Sequence, residues 1–191
     1  MILRNIAVFG LLLFTILFSC KKWSDPAAPQ DPRLDDNKYC NDPEAVNYNW
    51  NFPGQPDNSV CIFPADLFKG TYLFTDSIYN SQNVFDSARS QNIFTLQVFP
   101  IGKRTLRILG FCGLTDSLKF TAERSTYRAT ADTTIFLNDT TKVYGQFFCR
   151  TQDTLTGFFM KSHTDTNALK IDLQVISDTG IYFHRGTAVK Q

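Results

Sequence analysis

From Leu67 to Gln191 the chain alternates apolar and polar residues. "SLKFTA" (Ser117 to Ala122) and "LKIDLQVIS" (Leu169 to Ser177) do so almost strictly, the period of a strand with one buried face. The runs "GTYLFTD", "IFTLQVF", "TLRILGF", "TTIFLND", "KVYGQFFC", "LTGFFMK" and "GIYFHRGTAVK" are rich in aromatic and β-branched side chains, which fit a pleated surface. Turn clusters separate them, among them Pro100-Ile101-Gly102-Lys103, Asn138-Asp139-Thr140-Thr141 and Ser177-Asp178-Thr179-Gly180. No helical stripe extends beyond the short stretch Asp86 to Ser90. The pattern predicts an all-β domain over 66–191, an antiparallel meander of roughly eight to ten strands. Such a chain protects its edges by closing fully or partly into a barrel, or by stacking as a β-sandwich, and alternation alone leaves both open.

Phenylalanines concentrate in these runs, at Phe94 and Phe99, Phe147 and Phe148, Phe158 and Phe159. Adjacent residues of a strand face opposite ways, so both faces carry aromatic surface. A barrel of about eight strands is just wide enough to be filled by side chains or to hold one small ligand. The rings predict a packed interior without a sizeable lipid cavity, and a function on the outer surface or at the loop ends.

Upstream the pattern changes twice. Residues 39–64, "YCNDPEAVNYNWNFPGQPDNSVCIFP", are dense in Asn, Asp, Pro and Gly, and "WSDPAAPQDPRLDDN" (Trp23 to Asn37) lacks any period. The second stretch cannot bury enough apolar surface to offset its ordering entropy and reads as a tether. Before it, Arg4 precedes an apolar run from Ile6 to Phe18, too short for a hydrocarbon core that needs about 20 residues. The run ends in Leu17-Phe18-Ser19-Cys20, which resembles the lipobox of bacterial lipoproteins of the Bacteroidetes type. The resemblance implies that residues 1–19 are a signal peptide, that the Cys20 thiol takes a diacylglycerol, and that the freed amine is acylated, with palmitate as an expected chain. At roughly 0.8 kcal/mol per buried methylene, three chains hold a protein at a membrane essentially permanently. Residues 20–38 are then anchor and tether. Lys21-Lys22 in place of an aspartate favours the outer membrane. The acidic cluster usual behind the cysteine of surface-exported members is missing, so the periplasmic or cell-surface face stays open.

In an exported chain the four remaining cysteines, Cys40, Cys61, Cys112 and Cys149, form two disulfides. Of the three pairings we favour Cys40 with Cys61 and Cys112 with Cys149, since each pair brackets one unit and contributes about 3–4 kcal/mol. Residues 39–64 also resemble a small cysteine-bracketed module of exported proteins of the same group, with pattern C-x-D-P-x-A-x-N-Y-N. Cys40, Asp42, Pro43, Ala45, Asn47, Tyr48 and Asn49 match its first half, and Asp57, Asn58, Ser59 and Cys61 its second. Two readings follow. Asp42, Asn47, Asn49 and Asp57 could ligate a structural calcium, which wants six to eight oxygens, or they could build a disulfide-stapled knot of turns. At the other end, Gly70-Thr71-Tyr72 and Gly186-Thr187-Ala188-Val189-Lys190 resemble the ends of lipocalin-like barrels in other lipoproteins of this group.

Charge and catalytic chemistry narrow the function further. Once the leader with Arg4 is removed, basic and acidic residues balance, which argues against nucleic acid, whose binding requires a basic face. The histidines are His163, beside Asp165 in a polar loop, and His184 on the final strand, and Glu44 and Glu123 are the only glutamates. No nucleophile elbow, zinc helix or phosphate loop accompanies them, so no catalytic residue is assigned. Asp-Ser and Asp-Thr pairs matching the O-glycosylation pattern of this bacterial group recur at Ser77, Ser87, Ser117, Thr133, Thr140 and Thr154, all read as exposed turns. The expectation is a lipid-anchored, non-enzymatic surface or structural module that contacts protein or polysaccharide and needs no cofactor. A carrier of a small apolar ligand in a lipocalin-like barrel is the alternative, and a hydrolase comes third.

Overall fold

A computed structural model describes residues 36–49, 54–90, 92–136, 142–162 and 165–191. Cys20, Thr140 and His163 lie outside the described residues.

The alternating runs form the expected antiparallel meander, and it closes into a barrel of eight strands with one strand added. β1 (Lys38–Tyr39) and β2 (Gln55–Pro56) pair within the cysteine-bracketed module. The barrel proper begins with β3 (Gly70–Asn80), β4 (Asn92–Pro100), β5 (Thr105–Gly110), β6 (Gly113–Ala122) and β7 (Arg128–Ala131). An insertion follows, made of the hairpin β8 (Thr134–Phe136) and β9 (Lys142–Tyr144) and the short β10 (Gln146–Phe148). β11 (Arg150–Lys161), β12 (Ala168–Ser177) and β13 (Gly180–Lys190) complete the wall. Two pairings close it. β13 runs antiparallel to β3 from Tyr182↔Asn80 to Lys190↔Tyr72, and β11 meets β7 at Phe158↔Thr130, Phe159↔Ala129 and Met160↔Arg128. Gly186 lies opposite Asp76, where a Cβ would collide with the Thr75 carbonyl, so only glycine lets β13 approach β3 that closely.

Every second residue faces inward, as the pleat requires. Tyr72, Phe74, Asp76 and Ile78 of β3 are buried while Thr71, Leu73 and Thr75 between them are exposed. Adjacent phenylalanines divide as expected: Phe159 lies in the core, 4.2 Å from the Phe120 ring, whereas Phe158 is covered on the outside by the Arg128 guanidinium at 3.7 Å. One end of the barrel is plugged by a 3-10 helix, Pro64–Phe68, that begins at a proline. Its Phe68 is fully buried beside Phe159, the Tyr72 hydroxyl donates to the Phe68 carbonyl at 2.9 Å, and Lys161 Nζ donates to the Leu67 carbonyl at 3.0 Å. Burial holds the Lys161 ammonium below its usual pKa, with Lys190 adding repulsion. Burying each such aromatic ring contributes about 1.5–3 kcal/mol, so this end forms the stable base of the fold.

Alternation did not reveal β7, "RATA", because its inward residues Ala129 and Ala131 carry almost no hydrophobic signal. The strand is also too short to span the wall. Above it β10 takes over, its backbone pairing with β11 at Gln146↔Leu155 and Phe147↔Thr154. The buried Gln146 side chain bridges to β6, its Oε1 accepting from Lys119 N at 2.8 Å and its Nε2 donating to Lys119 O at 2.7 Å. A primary amide thus supplies the donor and acceptor that a strand's peptide group would have offered.

Both disulfides have the favoured pairing, Cys40 with Cys61 and Cys112 with Cys149. The module docks on the closed end. Lys103, in the β4–β5 turn, meets Asp42 at 2.6 Å and Glu44 at 2.8 Å, and Arg124, in the β6–β7 turn, donates to the Pro43 carbonyl at 2.8 Å.

Candidate ligand-binding site

The opposite end of the barrel carries a cup of about 370 Å³, lined by Ile78, Ala88, Arg89, Asn92, Phe148, Asp153, Val175, Ser177, Tyr182 and His184. That volume lies within the range of small-molecule sites, roughly 300–1,000 Å³. Three local devices shape it.

The first is the β3–β4 connection. Beyond Asp76↔Asn92 the two strands part, and Ser90 replaces the ladder: its hydroxyl accepts from Ile78 N at 2.8 Å and donates to Ile78 O at 3.1 Å. Asp86 Oδ1 accepts from the Ala88 and Arg89 backbone amides, the local bonding that makes aspartate a turn former. The loop therefore lies back along β3 and delivers Ala88 and Arg89 to the cup.

The second is the Cys112–Cys149 disulfide. The residues preceding its two cysteines are Phe111 and Phe148, whose rings stand 6.0 Å apart. Phe111 continues to Phe94 at 5.5 Å and Phe74 at 5.7 Å, and Phe148 reaches His184 at 5.6 Å. These tilted and edge-on arrangements suit aromatic quadrupoles. Joining the β5–β6 corner to the end of β10, the bond holds an aromatic wall in place.

The third is a polar pair inside the barrel. His184 shares the inward face of β13 with Ala188, and its Nδ1 lies 2.7 Å from Oδ2 of Asp76. Asp76 is only 3% exposed, and its Oδ1 is buried with no hydrogen-bond partner among the described residues. Leaving a buried acceptor unpaired costs about 1–3 kcal/mol, which offsets what the bond from His184 to Oδ2 contributes. The carboxylate fixes the imidazole, whose Nε2 has no hydrogen-bond partner among the described residues at the cup wall.

At the rim the Arg89 guanidinium sits 4.5 Å above the Tyr182 ring and 3.8 Å from the Asp86 carboxylate. Tyr182 donates to the Thr179 carbonyl at 3.2 Å. Hydrogen bonding with Thr179, and next with Arg89, holds the Tyr182 hydroxyl below its usual pKa.

The residues expected to ligate calcium are each engaged separately. Asp42 accepts from Glu44 N through Oδ1 and meets Lys103 through Oδ2, while Asp57 caps Ser59 N at 2.8 Å and meets Lys38 at 2.9 Å. The Asn47 amide donates to Val60 O and accepts from Ile62 N, both at 2.8 Å, and Asn49 is held through its backbone to Cys40 O. These bonds fit the turn-knot reading, with Asn49 engaged through its backbone alone. The Lys103 ammonium, followed by the Glu44 amide, holds the Asp42 carboxyl below the usual range, and Ser59 followed by Lys38 does so for Asp57. Among the described residues no group of three or more His, Cys, Asp or Glu side chains is placed to hold a metal ion.

The Asp-Ser and Asp-Thr pairs do not all occupy turns. Ser77, Ser117 and Thr154 lie within β3, β6 and β11, because residues of a pleated strand alternate faces and Asp76 points inward. Ser87 and Thr133 are exposed outside strands.

From the sequence, Asp76 and Asp153 read only as members of Asp-Ser and Asp-Thr turn pairs, and Tyr182 carries no signal of its own. For Asp76 the signal was present: it continues the inward series Tyr72, Phe74, Asp76, Ile78, and a carboxylate at a core position of a strand is costly enough to need a reason. Compared with models of known protein families and with curated proteins, the chain matches none.

Proposed function

We propose that the protein is a lipid-anchored, non-catalytic binding protein whose recognition site is the cup at the open end of its barrel. The observation that carries this reading is the buried Asp76 carboxylate, which has one oxygen unpaired and the other orienting His184 toward the cavity. A group that lowers stability yet is held by its surroundings serves binding rather than folding. The lower barrel is filled by Phe68, Tyr72, Phe120 and Phe159, so the ligand is compact and not a long acyl chain. Cys20 supplies the attachment to the outer membrane. The module docks at the closed end, at the opposite end of the barrel from the cup.

The chain from Lys21, with both disulfides intact, is incubated with cell and membrane extracts and examined by native mass spectrometry. Stoichiometric retention of a small molecule, abolished by Phe148→Ala, is expected. Retention of fatty acid, or of nothing, overturns the reading. For the anchor, Cys20→Ser abolishes labelling by a fatty-acid analogue, and undiminished labelling refutes it.

A second reading, a surface that contacts protein or polysaccharide, is favoured by Leu73, Ile93 and Val189. They stand 39%, 63% and 49% exposed on neighbouring strands of the outer face, with Val189 directly opposite Leu73.

A further inference from the structure

Resting on the cup as the binding site, we infer that its ligand is a small organic amine. The cup's neutral hydrogen-bond donors are engaged, and its one cationic donor, Arg89, stands at the rim. Asn92 Nδ2 donates to Arg89 O at 2.9 Å, Tyr182 to Thr179 O, and Ser177 Oγ to Gly180 O at 3.3 Å. The Arg89 guanidinium is stacked on Tyr182 and lies beside Asp86. The acceptors are free. The Asp153 carboxylate lines the cup with no partner among the described residues, and a neutral imidazole that donates Nδ1–H to Asp76 carries its lone pair on Nε2. The balance of charge agrees, since Asp76, Asp86 and Asp153 face a single arginine and the imidazole.

An anionic ligand would meet the carboxylate of Asp153, which repels it, and the one cation that could receive it, Arg89, stands at the rim beside Asp86. A neutral apolar ligand would leave Asp153 and Nε2 desolvated and unsatisfied. A bare metal ion finds one imidazole and one carboxylate, fewer than the four to six ligands metals take. A protonated amine on a short apolar body answers each requirement. Its N–H groups reach Asp153 and His184 Nε2, its charge faces the Phe148 ring, and its body covers Ile78 and Val175.

Isothermal titration calorimetry on the chain from Lys21, with phenethylamine, 2-phenylethanol and 3-phenylpropanoate as probes, separates these classes on nearly one skeleton. Phenethylamine is expected to bind at least about tenfold tighter than 2-phenylethanol, with 3-phenylpropanoate weakest. Asp153→Asn is expected to remove that preference and leave affinity for 2-phenylethanol within about twofold. Equal or tighter binding of the alcohol or the acid, or an amine preference that survives Asp153→Asn, overturns the inference. If those ligands still depend on Phe148, the cup remains a binding site and only the amine is wrong. Failure of all three probes also overturns the inference, and the extract experiment then decides the cup independently.

Discussion

The two ends of the barrel are built from the same strands and differ in what they leave unsatisfied. At the closed end Phe68, Phe120 and Phe159 interlock, Tyr72 and Lys161 find the carbonyls of the plugging helix, and the module adds Lys103 and Arg124 contacts outside. At the open end the same inward alternation yields a carboxylate oxygen, an imidazole nitrogen and an aspartate on β11 that have no partner among the described residues. The inward β3 residues Tyr72, Phe74, Asp76 and Ile78 follow one another along one face, so a shift of four residues takes the wall from stable core to candidate site. Stability and the proposed recognition are therefore separable along a single strand, with one disulfide serving each region.

The largest effect should come from breaking the base. Phe159→Ala removes a ring that touches both Phe68 and Phe120, and a loss of about 3–5 kcal/mol in urea denaturation is expected. Phe148→Ala, at a half-buried position beside the cup, should cost clearly less and abolish ligand retention. Equal costs would erase the contrast.

The two disulfides sharpen it further. Replacing either cysteine pair by serine should lower stability by about 2–4 kcal/mol. Losing Cys112–Cys149 should also release Phe111 and Phe148 and abolish retention, whereas losing Cys40–Cys61 should leave retention intact. Native mass spectrometry of the two double variants reads the difference.

Replacing Asp76 and His184 together, as Asp76→Leu with His184→Phe, should leave stability unchanged or raise it by roughly 1–4 kcal/mol, since buried polar pairs replaced by apolar residues of similar volume often behave so. Retention should be lost. A marked drop in thermal stability would mean that the pair is structural.

The smallest effect is expected of acid at the module. The Asp42 and Asp57 carboxyls are held below their usual pKa in the fold. Their contribution is therefore complete above the ordinary value of about 3.9 and is lost as pH falls through the lower folded values. Hydrogen exchange at the Asn49 and Ile62 amides should be unchanged from neutrality to about pH 5 and should accelerate at lower pH, relative to core amides of β12, beyond the intrinsic dependence. Faster exchange already near neutrality would show that other contacts hold the module.

How much of this was legible in the sequence follows from the range of each signal. Alternation is local, so β12 and β13 could be read directly, and a two-residue turn at Asp178-Thr179 joins them. The pairing of cysteines followed from the units they bracket. β7 escaped because alanines at its inward positions give alternation nothing to register. Asp76 was assigned to a turn through the serine that follows it, although its neighbours two residues away on either side are Phe74 and Ile78, both buried. Its partner His184 is 108 residues further along the chain. A contact of that separation appears only once the barrel has brought β13 beside β3.

That same juxtaposition sets the order in which the molecule can be completed. β3 is the first strand of the wall and β13 the last, and they share the seam from Tyr72↔Lys190 to Asn80↔Tyr182. A chain delivered from its N-terminus has β3 to β12 available while the outer edge of β3 still lacks its partner, and such an edge is a template for pairing with another molecule. Closure across so many residues carries a loop entropy that only the finished seam offsets. The 11 residues of β13 thus act as the fastener. Until they dock, β3 and β12 are open edges, Asp76 has no imidazole beside it, and the cup does not exist.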